Sequence, residues 1–271
     1  MTAATAPVET IPAGGTSSMR AFWAVLSRDI FVTVKELPAF LAQVLIQPFF
    51  FLFVFVVVLS AGGFVSPDYG QIMLPGLLAM NAFFAALQGV AFPLVFEFSF
   101  SREIEDRLLA PIPIPLVAIE KIVYAALRGI VAALLMVPIG LLLVEGINWP
   151  ASGLVPAFLF VVLGSLLGGA LGMVIGTAVQ PRRINVLFAV IFTPLLFTGS
   201  VQYPWQTLGE LRWFQIVSAL NPLTYVSEGI RSALVPEVPH LATWLCVVVS
   251  IAAIVVLSWL GIRGFLRRAL D

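Results

Sequence analysis

Charge is scarce in this chain. Of 271 residues only 10% are Asp, Glu, Lys or Arg, 61% are hydrophobic, and mean hydropathy is +1.07. Soluble domains carry about a quarter charged residues, so this polar surface is too small to cover a water-soluble globule. The chain reads as an integral membrane protein. Net charge is missing too: 14 basic and 14 acidic residues cancel, which excludes an electrostatic draw toward nucleic acid. One cysteine, Cys246, and one histidine, His240, exclude an internal disulfide and leave no ligand set for zinc, haem or iron–sulfur chemistry; no metal is expected. Lysine occurs only as Lys35 and Lys121, preceded by Val34 and Glu120. No Gly-x-x-x-x-Gly-Lys-Ser/Thr phosphate loop can therefore exist. A lone histidine gives little scope for a Ser–His–acid site, and no catalytic site is expected.

What the chain has in quantity is uncharged sequence. Between Glu36 and Asp68 there are 31 residues without charge, between Asp68 and Glu97 28, between Glu145 and Arg182 36, between Arg183 and Glu210 26, and between Glu237 and Arg263 25. About 20 apolar residues cross about 30 Å of hydrocarbon. A further apolar stretch, Leu116 to Val144, is interrupted only by Glu120, Lys121 and Arg128. Six spans follow, at about 38–60, 70–96, 116–144, 154–179, 184–200 and 241–262, with the fifth the shortest. The runs do not alternate with period two, so barrel strands are not expected.

Basic residues near span ends set orientation. With the N-terminus inside, the inner segments collect Arg20, Arg28, Lys35, Arg102, Arg107, Lys121, Arg182, Arg183, Arg263, Arg267 and Arg268, and the outer loops hold only Arg212 and Arg231. Both termini are expected in the cytoplasm. Residues 1–19, rich in Thr, Ala, Pro and Gly, are expected to form a disordered cytoplasmic tail without a cleavable leader.

Between the spans, three segments carry patterns of their own. Trp23, Leu26, Ile30, Val34 and Leu37 recur at helical spacing, which predicts an amphipathic helix over 20–37, ended by Pro38. It either lies along the inner membrane surface or simply starts the first span. Phe98 to Pro111 reads as a short charged helix with Ser101 at its N-cap and Glu103 in the first turn. Ile104 and Leu108 share a face while Glu103, Asp106 and Arg107 project into the cytoplasm, and Pro111 to Pro115 forms a stiff extended spacer. The segment 202–240 holds Trp205, Trp213, Phe214, Tyr225 and Glu228. It reads as two short helices dipping into the outer leaflet, broken at Asn221-Pro222. Gly164, Gly168, Gly169, Gly172 and Gly176 allow close helix approach. Arg128 is deep for a charge: either its helix begins further out in the cytoplasm, or it has a buried partner such as Glu97.

Several fragments together carry a resemblance. Leu74-Pro75-Gly76, the stretch Arg102 to Pro113, Arg128-Gly129, Thr193 to Tyr203, Leu220 to Tyr225 and Gly229-Ile230-Arg231, in this order on six spans, resemble ABC-2 type permeases, the membrane subunits of ATP-driven exporters. The branch they are most similar to contains nodulation-factor and daunorubicin-type drug exporters. The resemblance implies an all-α membrane domain over residues 20–271: six transmembrane helices, an interfacial helix, a cytoplasmic coupling helix and an outer re-entrant hairpin at about 202–235. It implies two ABC ATPase partners, which bind ATP and Mg, and a second permease, identical or related. Ser101, Arg102, Glu103, Ile104, Asp106 and Arg107 would then contact the ATPase, and Asn221, Pro222 and Tyr225 would belong to the outer hairpin. Asn81, Phe84, Gln88, Phe188 and Phe192 are candidates for a mostly apolar substrate path suited to a drug, lipid or glycolipid leaving a bacterial plasma membrane; helix packing is the competing role for each. The alternative is a gradient-driven secondary transporter or channel, working without an ATPase.

Overall fold

The computed structural model of the chain describes residues 15–66, 68–97, 113–179 and 184–270, with side chains excepted at 15–17, 184–188 and 269–270. Helix α1 is Gly15–Lys35 and α2 is Leu37–Leu52, carried on by a π-helical turn Phe53–Val58 and a final turn Leu59–Ala61. Then follow α3 (Tyr69–Phe96), α4 (Ile114–Leu143), α5 (Ala151–Ala178), α6 (Ile184–Thr198), a 3₁₀ turn Trp205–Glu210, α7 (Arg212–Leu220), α8 (Pro222–Leu234) and α9 (Thr243–Leu270). Among the described residues there is no strand. Among the described residues five helices are long and apolar enough to cross a membrane: Leu37–Ala61, Tyr69–Phe96, Ile114–Leu143, Ala151–Ala178 and Thr243–Arg268. The expected fifth span corresponds to α6, whose 15 residues rise only about 22 Å.

Several boundaries differ from the sequence expectation. Residues 15–19, assigned above to the tail, open α1; Thr16, Ser17 and Ser18 are residue types that favour helix starts. Proline 38 does not end that helix but sits in the first turn of α2 after a break at Glu36, where its missing N–H costs nothing. Pro115 is likewise inside the first turn of α4 and not in an extended spacer; residues 111 and 112 of the expected spacer lie outside the described residues. Helix α9 runs past Arg263 to Leu270. Its arginines do not stop it, because Arg268 Nη1 donates to the carbonyls of Gly176, Thr177 and Val179 at 3.1–3.2 Å, satisfying the open end of α5.

Helix α3 is the axis of the bundle. Nearly every side chain from Met73 to Val95 is buried, with α4, α5 and α8 packed around it and α9 laid against α5. The contact with α5 is backbone to backbone. A Cβ at Gly168 would stand 2.1 Å from the Phe83 carbonyl oxygen, and one at Gly172 2.5 Å from that of Leu87. The glycine row expected to permit close approach does so here. At one end of the bundle a smaller apolar cluster joins Val25 of α1, Leu94 of α3, Val117 of α4, Met173 of α5 and Phe265 of α9.

Of the expected stripe, Trp23, Ile30, Val34 and Leu37 are exposed, but Leu26 does not share their face: it turns to the bundle with Asp29. Apolar residues of α1 thus lie on both sides, Trp23, Ile30 and Val34 away from the bundle and Leu26 and Val25 against it.

Gly168→Ala should lower the thermal unfolding midpoint in detergent, since overpacking of this kind costs about 1–3 kcal/mol. Gly209→Ala, whose Cβ would meet nothing within 4 Å, is the control. Equal midpoints for the two variants would refute the α3–α5 backbone contact.

Candidate functional site

Polar groups gather at the two ends of the bundle. At the end shared by α1, the C-terminus of α3 and the N-terminus of α4, the Lys121 ammonium donates to Glu97 Oε1 at 2.7 Å and lies 3.6 Å from Asp29 Oδ2, with all three residues buried. One cation between two carboxylates is how a buried charge persists. One turn after Asp29, Thr33 shares a hydrogen bond with the Tyr124 hydroxyl. Asp29 and Thr33 thus fasten α1 to α4 through residues four apart on one helix face.

Of the two accounts of Arg128, a helix beginning further out in the cytoplasm or a buried partner, the partner considered was Glu97. The structure gives it to Lys121 instead. Because α3 and α4 run antiparallel, the end of α3 lies level with the start of α4. Arg128 falls beside Gly89, eight residues and about 12 Å of helix rise from Glu97. Its guanidinium lies over the rings of Phe40 and Tyr124, 4.9 and 5.9 Å from their centroids.

The candidate path residues are placed as follows. Asn81 is buried and donates from Nδ2 to the Ala132 carbonyl at 2.8 Å, tying α3 to α4. Phe84 is buried and stacks on Phe192 of α6, centroids 4.3 Å apart. Gln88 is half-buried and accepts from Gln43 Nε2 at 2.8 Å. Phe188 is on α6, with its side chain outside the described positions. Ser101, Arg102, Glu103, Ile104, Asp106 and Arg107 all lie outside the described residues.

At the opposite end the expected pair of short helices is present, α7 and α8, with the break at Asn221. Asn221 caps α8: its Oδ1 accepts from Leu223 N at 2.9 Å, while its Nδ2 donates to the Leu195 carbonyl at 2.8 Å and to Thr198 Oγ1 at 2.9 Å. Pro222 occupies the first turn, where proline is tolerated. The Tyr225 hydroxyl donates to the Ala219 carbonyl at 2.9 Å, closing α8 onto α7. This cap also locks the hairpin to the end of α6.

Deeper in α8 lies a network that the sequence reading missed. Arg231, counted above among the outer-loop cations, is fully buried, as is Glu228 three residues before it, and the two form an ion pair. Arg231 donates from Nε to the Ile72 carbonyl at 3.2 Å and from Nη2 to the Ser200 and Val201 carbonyls at 2.9 and 3.3 Å. Glu228 accepts from Trp205 N at 3.0 Å and, on its other oxygen, from Leu241 N at 2.9 Å. Burial pushes the Arg231 pKa down, and the Glu228 carboxylate pushes it back up. Two side chains thereby join the start of α3, the turn after α6, the 3₁₀ turn and the approach to α9. To aim its carbonyl at Arg231, Ser200 takes φ 50°, a left-handed conformation that costs a non-glycine residue about 1–2 kcal/mol. The available signal was the Glu–Arg spacing of three in an otherwise uncharged helix. Among the described residues no three His, Cys, Asp or Glu side chains gather to hold a metal.

Glu228→Gln and Arg231→Met should each destabilise the protein by about 3–5 kcal/mol, the cost of leaving one buried partner uncompensated. The double variant should recover part of that loss. Thermal midpoints of the four proteins measure the coupling, and strictly additive losses would show that the pair does not act as a unit.

Comparison with known proteins gives a family profile and several relatives. The profile described as ABC-2 type transporter matches residues 20–235. The chain is 26% identical over 253 residues to the inner membrane transport permease YadH of Escherichia coli strain K12, covering 89% of this chain and 95% of that protein. It is 29% identical over 218 residues to the putative transport permease ycf38 of Cyanophora paradoxa, covering 76% and 72%, and 25% identical over 221 residues to that of Porphyra purpurea, covering 76% and 71%. No solved structure matches it.

Proposed function

Because the chain belongs to the ABC-2 type transporter family, we propose that it is the permease subunit of an ATP-driven exporter moving a hydrophobic or amphipathic substrate, a drug, lipid or glycolipid, out across the bacterial plasma membrane. The observation that carries this reading is the family match over residues 20–235 on a multi-pass chain with five membrane-length helices.

In this reading α6 completes six spans, both termini are cytoplasmic, and the basic residues at the α1 end lie inside. Helix α1 floats its apolar face in the inner interface. The segment 101–109 seats in a partner ATPase through Glu103, Asp106 and Arg107, and two ATPase copies supply the ATP and Mg chemistry. A second permease, identical or related, completes the path. When the ATPases close on ATP, the push on segment 101–109 reaches the bundle through the ends of α3 and α4, where Glu97 and Lys121 are paired and α1 is fastened. The α7–α8 hairpin dips into the outer leaflet; its exposed Trp213, Ile216 and Leu220 suit lipid contact, and its movement opens the exit. Phe84, Gln88, Phe188 and Phe192 flank the route, so the Phe84–Phe192 stack separates during export.

A gradient-driven carrier is the second reading, favoured by one feature: ionisable groups buried at Asp29, Glu97 and Lys121, which a proton relay needs. Purification in mild detergent with mass spectrometry should recover a stoichiometric ABC ATPase. Export by the reconstituted complex should stop when ATP is withdrawn and the ion gradient is kept. Continued export under that gradient would select the carrier. Glu103→Lys should abolish substrate-stimulated ATP hydrolysis while the protein still inserts, and unchanged coupled turnover would remove the proposed docking role.

A further inference from the structure

A cavity of about 500 Å³ opens beside the elbow between α1 and α2. Exposed Arg28, Glu36 and Gln43 edge its mouth, buried Asp29, Glu97 and Lys121 line one side, and Arg128 lines another. The two sides differ in how their charge is met. Lys121 is shared by two carboxylates. Among the described residues Arg128 makes no hydrogen bond and no ion pair: it has only the ring faces of Phe40 and Tyr124, and its Nε is buried without a partner. Its neighbour on α3, Gly89, brings no side chain to it. Ring faces offset only part of the cost of desolvating a guanidinium, and its fork of donors matches the oxygens of a phosphate.

We propose that this cavity holds the headgroup of a membrane phospholipid, with Arg128 binding its phosphodiester. Two features select a lipid over a free anion. The mouth gives onto α2, a membrane-length helix most of whose surface is uncovered, with Ile46 and Phe50 exposed beyond Gln43; acyl chains have an apolar track to follow. Asp29 and Glu97 across the cavity add negative charge, which repels a doubly charged phosphate more than a phosphodiester. Exposed Glu36 at the mouth suits a headgroup that carries an amine beyond its phosphate.

The test is native mass spectrometry of the intact purified complex, stripped of lipid in detergent and titrated with phosphatidylethanolamine, phosphatidylglycerol or diacylglycerol. The wild type should retain one phospholipid per chain, and diacylglycerol should not compete. Arg128→Gln should weaken retention about tenfold, the loss of one charge-assisted contact, and Arg128→Lys should retain more than Arg128→Gln. Excess inorganic phosphate should not displace the lipid. Equal retention by folded Arg128→Gln and wild type overturns the site, as does tight diacylglycerol binding. Displacement by phosphate makes it a solute-anion site instead. Should Arg128→Gln not fold, Gly89→Asp decides the matter. A Cβ there would stand 3.5 Å from Arg128 Cδ, in ordinary contact, so the new carboxylate can occupy the guanidinium. Lipid loss in that variant upholds the proposal, and unchanged retention ends it.

Discussion

Lipid tails are as apolar as leucine, so helices in a bilayer gain little by burying leucine against leucine; they associate where small residues let backbones touch. The most extensive helix contact in the bundle, α3 against α5, is built on such residues at Gly168 and Gly172. It places α3 where α4 and α8 can pack on its remaining sides, and it gives α9 the other side of α5 to lie on. Gly129 repeats the device between α4 and α3, its Cβ position 2.4 Å from the Ala82 carbonyl oxygen. The charged residues at the two ends then work on a frame already fixed.

Those ends are held in different ways. Around Arg231 the donors are aimed at backbone carbonyls from two separate segments, and Glu228 accepts from two further backbone N–H groups. A fully satisfied buried network of this kind rigidifies its surroundings. The Asp29–Lys121–Glu97 group joins side chains to side chains, so it ties helices without fixing their backbones.

Helix α1 has two faces that answer to different media. Leu26, Asp29 and Thr33 turn toward the bundle, and Trp23, Ile30 and Val34 turn away from it. Most of the stripe that sequence periodicity picks out faces away, but Leu26, a member of that stripe, packs into the bundle. Periodicity reports which residues share a face. It does not report which neighbour that face meets.

The sequence by itself determined the medium and the elements. Uncharged runs of membrane length located four of the long helices and the short α6, an apolar stretch interrupted by Glu120, Lys121 and Arg128 located α4, and Asn221-Pro222 marked the start of α8 because asparagine caps and proline opens a helix by local chemistry. Glycine spacing identified which helix would approach its neighbours closely. All of these are decided within a few residues along the chain. Only the tertiary structure decided which charges meet. Glu97 finds Lys121 and leaves Arg128 beside Gly89 because two antiparallel helices meet in one register. Arg231, a surface cation by its position in the sequence, is buried because α8 folds back against α3 and α5. Pairing across a bundle depends on the relative height of helices joined by long connections, a quantity that no local spacing encodes.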